Sequence, residues 1–296
     1  MGSNQLLEVS PADYHTRLKF NKDDIFHPDS YLSKSVLWGT HGISLWAWRN
    51  LKPFKPTAAM TWGSVIDCMV TTPDEVDDLI VIKDDCPHLS ASGSFASKLA
   101  KEWRDEHLAA DRLIISQDDY DRAMQHADVV LNQHPVSSKI FANSKKQVIL
   151  HCKTEDGINL KGLADLVPDD DFLCDFKTTA DFSLDGFSKT IAKFGYGVQA
   201  GLYLIMFNDM FPDAKRKRFK FIWQDSKTGE VAVTEASTED LLGGQAMVRF
   251  LLKRLIKAYK EDDFPMLTGN LTPVISRPMW SQMADEVLLT GSTQQL

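Results

Sequence analysis

The chain has 296 residues, 43% hydrophobic and 25% charged, with a formal net charge of −8. That length suits one large α/β domain or two small ones, and the acidic balance argues against a non-specific nucleic-acid coat protein while leaving room for a local basic strip. Cys68, Cys86, Cys152 and Cys174 form no C-x-x-C pair, which speaks against a zinc ribbon or a closely spaced iron–sulfur set.

The opening "MGSNQLLEVSPADYH" has no basic n-region and no apolar h-region, so no signal peptide is expected. Within it, Ser10 reads as a helix N-cap and Pro11 as the first helical residue. "YLSKSVLWGTHGISLWAWRN" reads as two short helices broken near Gly39 to Gly42. "TAAMTWGSVIDCMVT" is an amphipathic helix capped by Thr57, leading to a strand near Leu79 to Ile82. "SGSFASKLAKEWRDEHLAA" is helical and "DRLIIS" a short strand. A helix follows whose Ser116 and Asp119 resemble a capping box.

The period then changes. "KQVILHC", "INLKGLADLVP" and "DFLCDFKTTA" are strand-like and separated by turn clusters, a β-meander. Helical pattern resumes through "LDGFSKTIAKF" and "GYGVQAGLYLIMFNDMF", the longest apolar run and too short to span a bilayer. "KRFKFIWQD" and "EVAVTEAS" form a hairpin, and a long helix capped by Ser237 or Thr238 precedes a Pro-punctuated tail. The order predicts an α/β fold with a mixed central β-sheet flanked by helices. With no linker or repeat, it reads as a single domain over 1–296: a helical N-terminal part over 1–56, a core over about 57–236, and a C-terminal helix and tail over 237–296.

The chemistry concentrates in the last two meander strands. A turn at Asp169–Asp171 centred on Asp170 puts Asp165 opposite Asp175, and alternation puts Asp175 and Lys177 on one face. The register is assumed, since a one-residue slip would place the aspartates on opposite faces. Two carboxylates and a lysine in a buried strand pair are costly alone. A divalent cation with hard oxygen ligands relieves the cost, and a lysine beside it can orient and help deprotonate a water or neutralise developing negative charge. The alternative is a cross-strand ion pair on a solvated sheet face.

The spacing of Asp165, Asp175, Phe176 and Lys177 is the D-(x)n-(D/E)-x-K pattern of restriction-endonuclease-like nucleases. Beyond it, "YLSKSVLWG", "LWAWRN", "WGSVIDCMVTTPDEV", "GLADLV", "CDFKTTAD" and "GVQAGLY" occur in order over Tyr31 to Met206. That series resembles the phage-type RecE-like (exonuclease VIII) nucleases and, more distantly, λ-exonuclease and the RecB nuclease module, within the PD-(D/E)xK superfamily. The resemblance implies Asp165 and Asp175 as metal ligands with the Phe176 carbonyl as a third oxygen, and Lys177 as the catalytic lysine. It implies that Gln199 and Tyr203, four apart on one helix face, support the scissile phosphate or the lysine; otherwise they read as a surface Gln and a core Tyr. Asp67 falls where relatives commonly carry a histidine ligand and is read as its replacement; otherwise it is a solvated helix acid. Relatives often place a glutamate near the start of the first meander strand, where this chain has Lys145 and Lys146.

Ser33, Lys34 and Ser35 stand at a helix start whose N–H groups suit a phosphate, with Arg49 further on; the resemblance implies that this region anchors a DNA 5′-phosphate, and otherwise it is an ordinary capped helix with solvated cations. Trp38, Trp46, Trp48 and Trp62 are assigned no role. The basic run Lys215 to Lys220 reads as a DNA-tracking strip or as an aggregation-blocking strand entrance. The resemblance as a whole implies a Mg²⁺-dependent exonuclease, with Mn²⁺ as substitute and two ions, that digests one strand of linear double-stranded DNA 5′ to 3′ and leaves 3′ single strands for recombination. It implies a homo-oligomeric ring, trimer ahead of tetramer, a single-strand annealing protein as partner, no membrane, and a cytoplasmic setting in a bacterial host of phage or prophage origin. The rivals are an endonuclease or single-strand-directed nuclease of the same fold, a catalytically silent nuclease fold used as a DNA-binding scaffold, and a metal-independent sugar hydrolase using paired carboxylates.

Overall fold

The computed structural model describes residues 9–10, 13–52 and 55–279. A short helix α1 (Tyr14–Arg17), a two-residue strand β1 (Tyr31–Leu32) and the helices α2 (Lys34–Gly39) and α3 (Leu45–Arg49) form the N-terminal part. Then come α4 (Ala58–Thr71), α5 (Val76–Leu79), β2 (Ile80–Ile82), α6 (Lys98–Ala109), β3 (Leu113–Ile115), α7 (Gln117–Asp128) and α8 (Pro135–Ala142). The meander is β4 (Ser144–Lys153), β5 (Asn159–Pro168) and β6 (Phe172–Thr179). After α9 (Leu184–Phe194) and α10 (Tyr196–Met210) come the hairpin β7 (Arg218–Asp225) and β8 (Val231–Glu235) and the long α11 (Thr238–Glu261).

Side-chain caps start the helices where the sequence places them. Thr57, Ser97, Ser116, Ser183 and Ser237 each accept a hydrogen bond from the backbone N–H three residues on. The first helix differs from expectation. It begins at Tyr14, and Ser10 instead accepts from the Asp13 N–H in the turn before it; Pro11 lies outside the described residues. Strand β1 and helix α8 carry too few residues of either period to stand out in the sequence.

The described residues form a six-stranded mixed sheet in the order β1-β5-β6-β7-β8, with β4 paired to β5, plus a small parallel pair of β2 and β3. β6 and β7 run parallel from Phe172↔Arg218 to Thr179↔Asp225, and β7 and β8 antiparallel. Two apolar layers sandwich the sheet. One face packs Leu173, Phe221 and Trp223 against α10 and α11; the other packs Leu166, Phe176 and Ile222 against α4, α7 and α8. α10 and α11 approach until a Cβ on Gly201 would lie 2.6 Å from the Gln245 nitrogen, so only glycine fits there. No helix among the described residues is long and apolar enough to cross a membrane, and all four cysteines are free and buried.

The two ladders of β5 are unequal. β4 pairs along it from Ser144↔Pro168 to Lys153↔Asn159, with one gap where Gln147 stands opposite Asp165. Gln147 has φ +48°, a left-handed conformation rare for a residue with a side chain. There the simple alternation of β5 fails: Ala164 packs into one apolar layer and Leu166 into the other. On its other edge β5 meets β6 at Leu166↔Cys174 and β1 at Tyr31↔Asn159.

Candidate active site

The pairing Leu166↔Cys174 sets the hairpin register that brings Asp165 beside Asp175, around the turn at Asp169–Asp171. Where the next ladder bond would form, Asp165 Oδ2 accepts from the Phe176 N–H at 2.9 Å. Asp175 is fully buried. Its Oδ1 accepts from Gln199 Nε2 at 2.9 Å, and its Oδ2 has no hydrogen bond of ordinary geometry but forms an ion pair with Lys177. The Lys177 ammonium also lies 5.0 Å from the centre of the Tyr196 ring, and Lys34 stands 5.1 Å from that same ring. Gln199 and Tyr203 are both buried. Tyr203 lies over Gly162, where an added Cβ would come 2.6 Å from its ring. That contact explains the glycine of "GLADLV".

Asp67 reaches the site from the other layer, on α4. Gln147 Nε2 donates to Thr71 Oγ1 at 2.8 Å and lies 3.5 Å from Asp67 Oδ2, while Lys146 donates to the Val70 carbonyl at 3.1 Å. Lys146 therefore ties down the last turn of α4. Gln147 was not legible as a site residue; its role depends on a backbone conformation and a helix eighty residues away.

The electrostatics follow from burial. Burial, then the neighbouring Asp175 and Asp67 charges, holds the Asp165 carboxyl well above the usual carboxylate range. Asp67 is pushed up to about 6, first by burial and then by Asp175, with Lys177 and Gln147 opposing. For Lys177 burial pulls downward, but the Asp175 and Asp165 charges outweigh it and hold the ammonium protonated. Lys34 is lowered to about 8 by burial and by the Lys177 charge.

The donor set suits a hard divalent cation. Asp165 and Asp175 are adjacent carboxylates, and the buried Asp175 Oδ2 has the Lys177 ammonium as its partner. Among the described residues no three His, Cys, Asp or Glu side chains converge as a ready-made metal cage. That is compatible with Mg²⁺, which usually takes one or two protein carboxylates and fills its shell with water and phosphate oxygens.

Beside the site, Ser33, Lys34 and Ser35 line a cavity of about 380 Å³ together with Lys161, Gln199 and Tyr203. Arg49 does not join them; its guanidinium stacks on Phe264 at 4.0 Å. Lys161 went unnoticed in the sequence although it lies four residues before Asp165. It is 7% exposed, sits 4.1 Å from the Tyr14 ring, and pairs with no carboxylate among the described residues. The basic run resolves into structure: Arg218 pairs with both Glu235 and Asp171, Arg216 donates to the Pro168 carbonyl, and Lys220 covers Phe172.

A candidate exonuclease from Eubacterium rectale superposes with a TM-score of 0.60 at 15% identity, covering 92% of this chain and 96% of that one. An alkaline exonuclease from Laribacter hongkongensis gives a TM-score of 0.30 at 14% identity, covering 56% of this chain and 84% of that one. Only the first bears on the fold. No curated protein matches the chain. The family described as a PDDEXK-like domain of unknown function (DUF3799) matches residues 46–275. The mixed sheet, the Asp165–Asp175–Lys177 hairpin and that match agree: the chain belongs to this PDDEXK-like family, and its fold is restriction-endonuclease-like.

Proposed function

We propose that this protein is a Mg²⁺-dependent exonuclease that hydrolyses one strand of linear double-stranded DNA from the 5′ end and leaves a 3′ single strand. The observation that carries the reading is the convergence of Asp165, Asp175, Lys177 and Gln199 where the β5–β6 ladder opens. Asp165, Asp175 and the Phe176 carbonyl would hold the ion, with Asp67 alongside. When bound, such an ion supplies Lewis acidity and lowers the pKa of its water.

The chain's own residues do the rest. Gln199 fixes the rotation of the Asp175 carboxylate through Oδ1 and leaves Oδ2 facing the site. The Asp175 and Asp165 charges favour the Lys177 ammonium; it would serve as a positive charge for the transferring phosphate or, once an ion takes up those carboxylates, help deprotonate a water. The Phe176 N–H holds Asp165 in place. Ser33, Lys34, Ser35 and Lys161 form a pocket of suitable charge for a terminal 5′-phosphate; Arg49 has no part in it. The 5′-to-3′ direction, a trimeric ring, a single-strand annealing partner and a phage-type recombination role belong to the same proposal and rest on resemblance.

The test is linear 5′-phosphorylated duplex and closed circular DNA, each with Mg²⁺ or EDTA, beside Lys177→Ala. Loss of linear-duplex degradation both in EDTA and in Lys177→Ala is expected. Activity that survives both sinks the mechanism, and cutting of closed circles replaces the exonuclease by an endonuclease. Binding without any cutting supports the scaffold alternative.

A further inference from the structure

A second cleft opens where the parallel strands β6 and β7 end. Along β6, Lys177 is followed by Thr178 and Thr179, which pair with Gln224 and Asp225 of β7. The turn after β7 closes back on them, with the Ser226 N–H donating to the Thr179 carbonyl at 2.8 Å. That turn carries Lys227 and Thr228, and they face Arg122, Gln125 and His126 of α7 across an open cavity of about 760 Å³. α4 connects the cleft to the active site: a Cβ on Gly63 would lie 3.1 Å from Thr178 Oγ1, and the neighbouring Trp62 ring meets His126 edge-on at 5.4 Å and carries the Arg122 guanidinium at 4.1 Å.

The cleft is built and its polar groups are not all spoken for. His126 is 5% exposed, and its Nδ1 and the Trp62 Nε1 are buried without a hydrogen-bond partner in the described structure. Burying such groups unpaired is unfavourable, and a water or a ligand that enters the cleft relieves it. The Gln224 amide fixes the His126 segment by donating to its carbonyl at 2.7 Å. Of the nearby acids, Asp119 pairs with Arg122 and Asp225 accepts within its own turn, while Asp128 accepts from the neutral Asn132 and Gln133 amides and keeps its negative charge. Lys227 is exposed, forms no direct ion pair among the described residues, and shares its turn with the Asp225 carboxylate, whose pKa its charge helps to lower.

From this juxtaposition we infer that the Arg122–His126–Lys227 cleft binds the backbone phosphates of the nucleic-acid strand that runs on past Lys177. The assignment rests on the nuclease reading of the adjacent site. Arg122, over the Trp62 ring and paired with Asp119 through Nη2, keeps its remaining N–H groups for a phosphate. Lys227 supplies a second, mobile positive charge. The cleft carries no base-reading pattern, so its contribution is to affinity and register and not to sequence choice.

The experiment is anisotropy of a fluorescein-labelled duplex with a single-stranded tail, bound to the full chain in EDTA over a series of KCl concentrations. Lys227→Ala, Arg122→Ala and the double variant are compared with Lys253→Ala, a change of an exposed cation on α11. Thermal melts check that each is folded. Each cleft variant is expected to weaken binding about fivefold and to flatten the log K–log salt slope by about 0.7–0.9, one phosphate contact apiece, with Lys253→Ala unchanged. Unchanged affinity and slope in folded Lys227→Ala and in the double variant overturn the proposal. A protein that binds with this dependence but never cuts loses its nuclease reading and keeps the cleft; one that binds no DNA at all loses the cleft.

Discussion

The two hairpins that share β5 were built from the same kind of sequence and do opposite things. Between β4 and β5 the ladder is continuous but for one gap, and its side chains serve packing: Leu150 and Leu160 are buried against α10. Between β5 and β6 the ladder gives way after Leu166↔Cys174, and a carboxylate takes the place of a backbone carbonyl on the Phe176 N–H. A closed ladder consumes the polar groups of its backbone; an opened one frees a place where a metal and a phosphate can enter. The gap in the first ladder, at Gln147 opposite Asp165, lies against the opening in the second. Acids from both faces of the sheet meet there, Asp175 from the α10 side and Asp67 from α4.

The sharpest way to break this contrast is at Asp165. Asp165→Asn keeps an acceptor for the Phe176 N–H and removes the charge, so turnover on linear duplex should fall about 10³-fold, roughly 4 kcal/mol of barrier, with a melting temperature in EDTA that rises or holds and does not fall. A stable variant with near-normal turnover would reduce Asp165 to a strand-fixing residue. In the closed hairpin the expectation reverses. Leu150→Ala should cost about 2–5 kcal/mol in urea unfolding while activity per folded molecule stays within a factor of a few. Gly162→Ala tests the contact between them: its Cβ collides with Tyr203 and Met206, and overpacking of about 1–3 kcal/mol should accompany a drop in turnover if Tyr203 is displaced from beside Gln199.

The smallest effect is a pH dependence. Burial raises Asp67 from 3.8 to about 6. The folded chain thus holds this proton more tightly than the unfolded chain, so the contribution to stability is complete below about pH 4 and is lost as pH rises to about 6. Asp67→Asn should therefore melt with the parent protein at pH 4 in EDTA and about 2–5 °C above it at pH 7. Equal melting at both values would place Asp67 in solvent, outside the cluster.

Much of the fold was legible because its signals are local. Caps at Thr57, Ser116 and Ser237, the change from helical to alternating period, and the turn at Asp169–Asp171 all act within a few residues. The hairpin index that pairs Asp165 with Asp175 follows from that turn, and the Gln199–Tyr203 spacing from one helix. Lys161, Gln147 and the stacking of Arg49 on Phe264 were not legible, since each depends on partners far along the chain.

By itself, then, the sequence determined that Asp175 and Lys177 share a strand face, because side chains alternate along a strand; that Asp165 stands next to them required the register fixed by Leu166↔Cys174. Only the tertiary structure decided that Asp67 faces that cluster, that Lys161 joins Ser33 to Ser35 while Arg49 leaves them, and that Arg122, His126 and Lys227 share a cleft. Those groupings depend on how helices dock on the two faces of the sheet, and docking is set by close packing between distant segments, which no local pattern records.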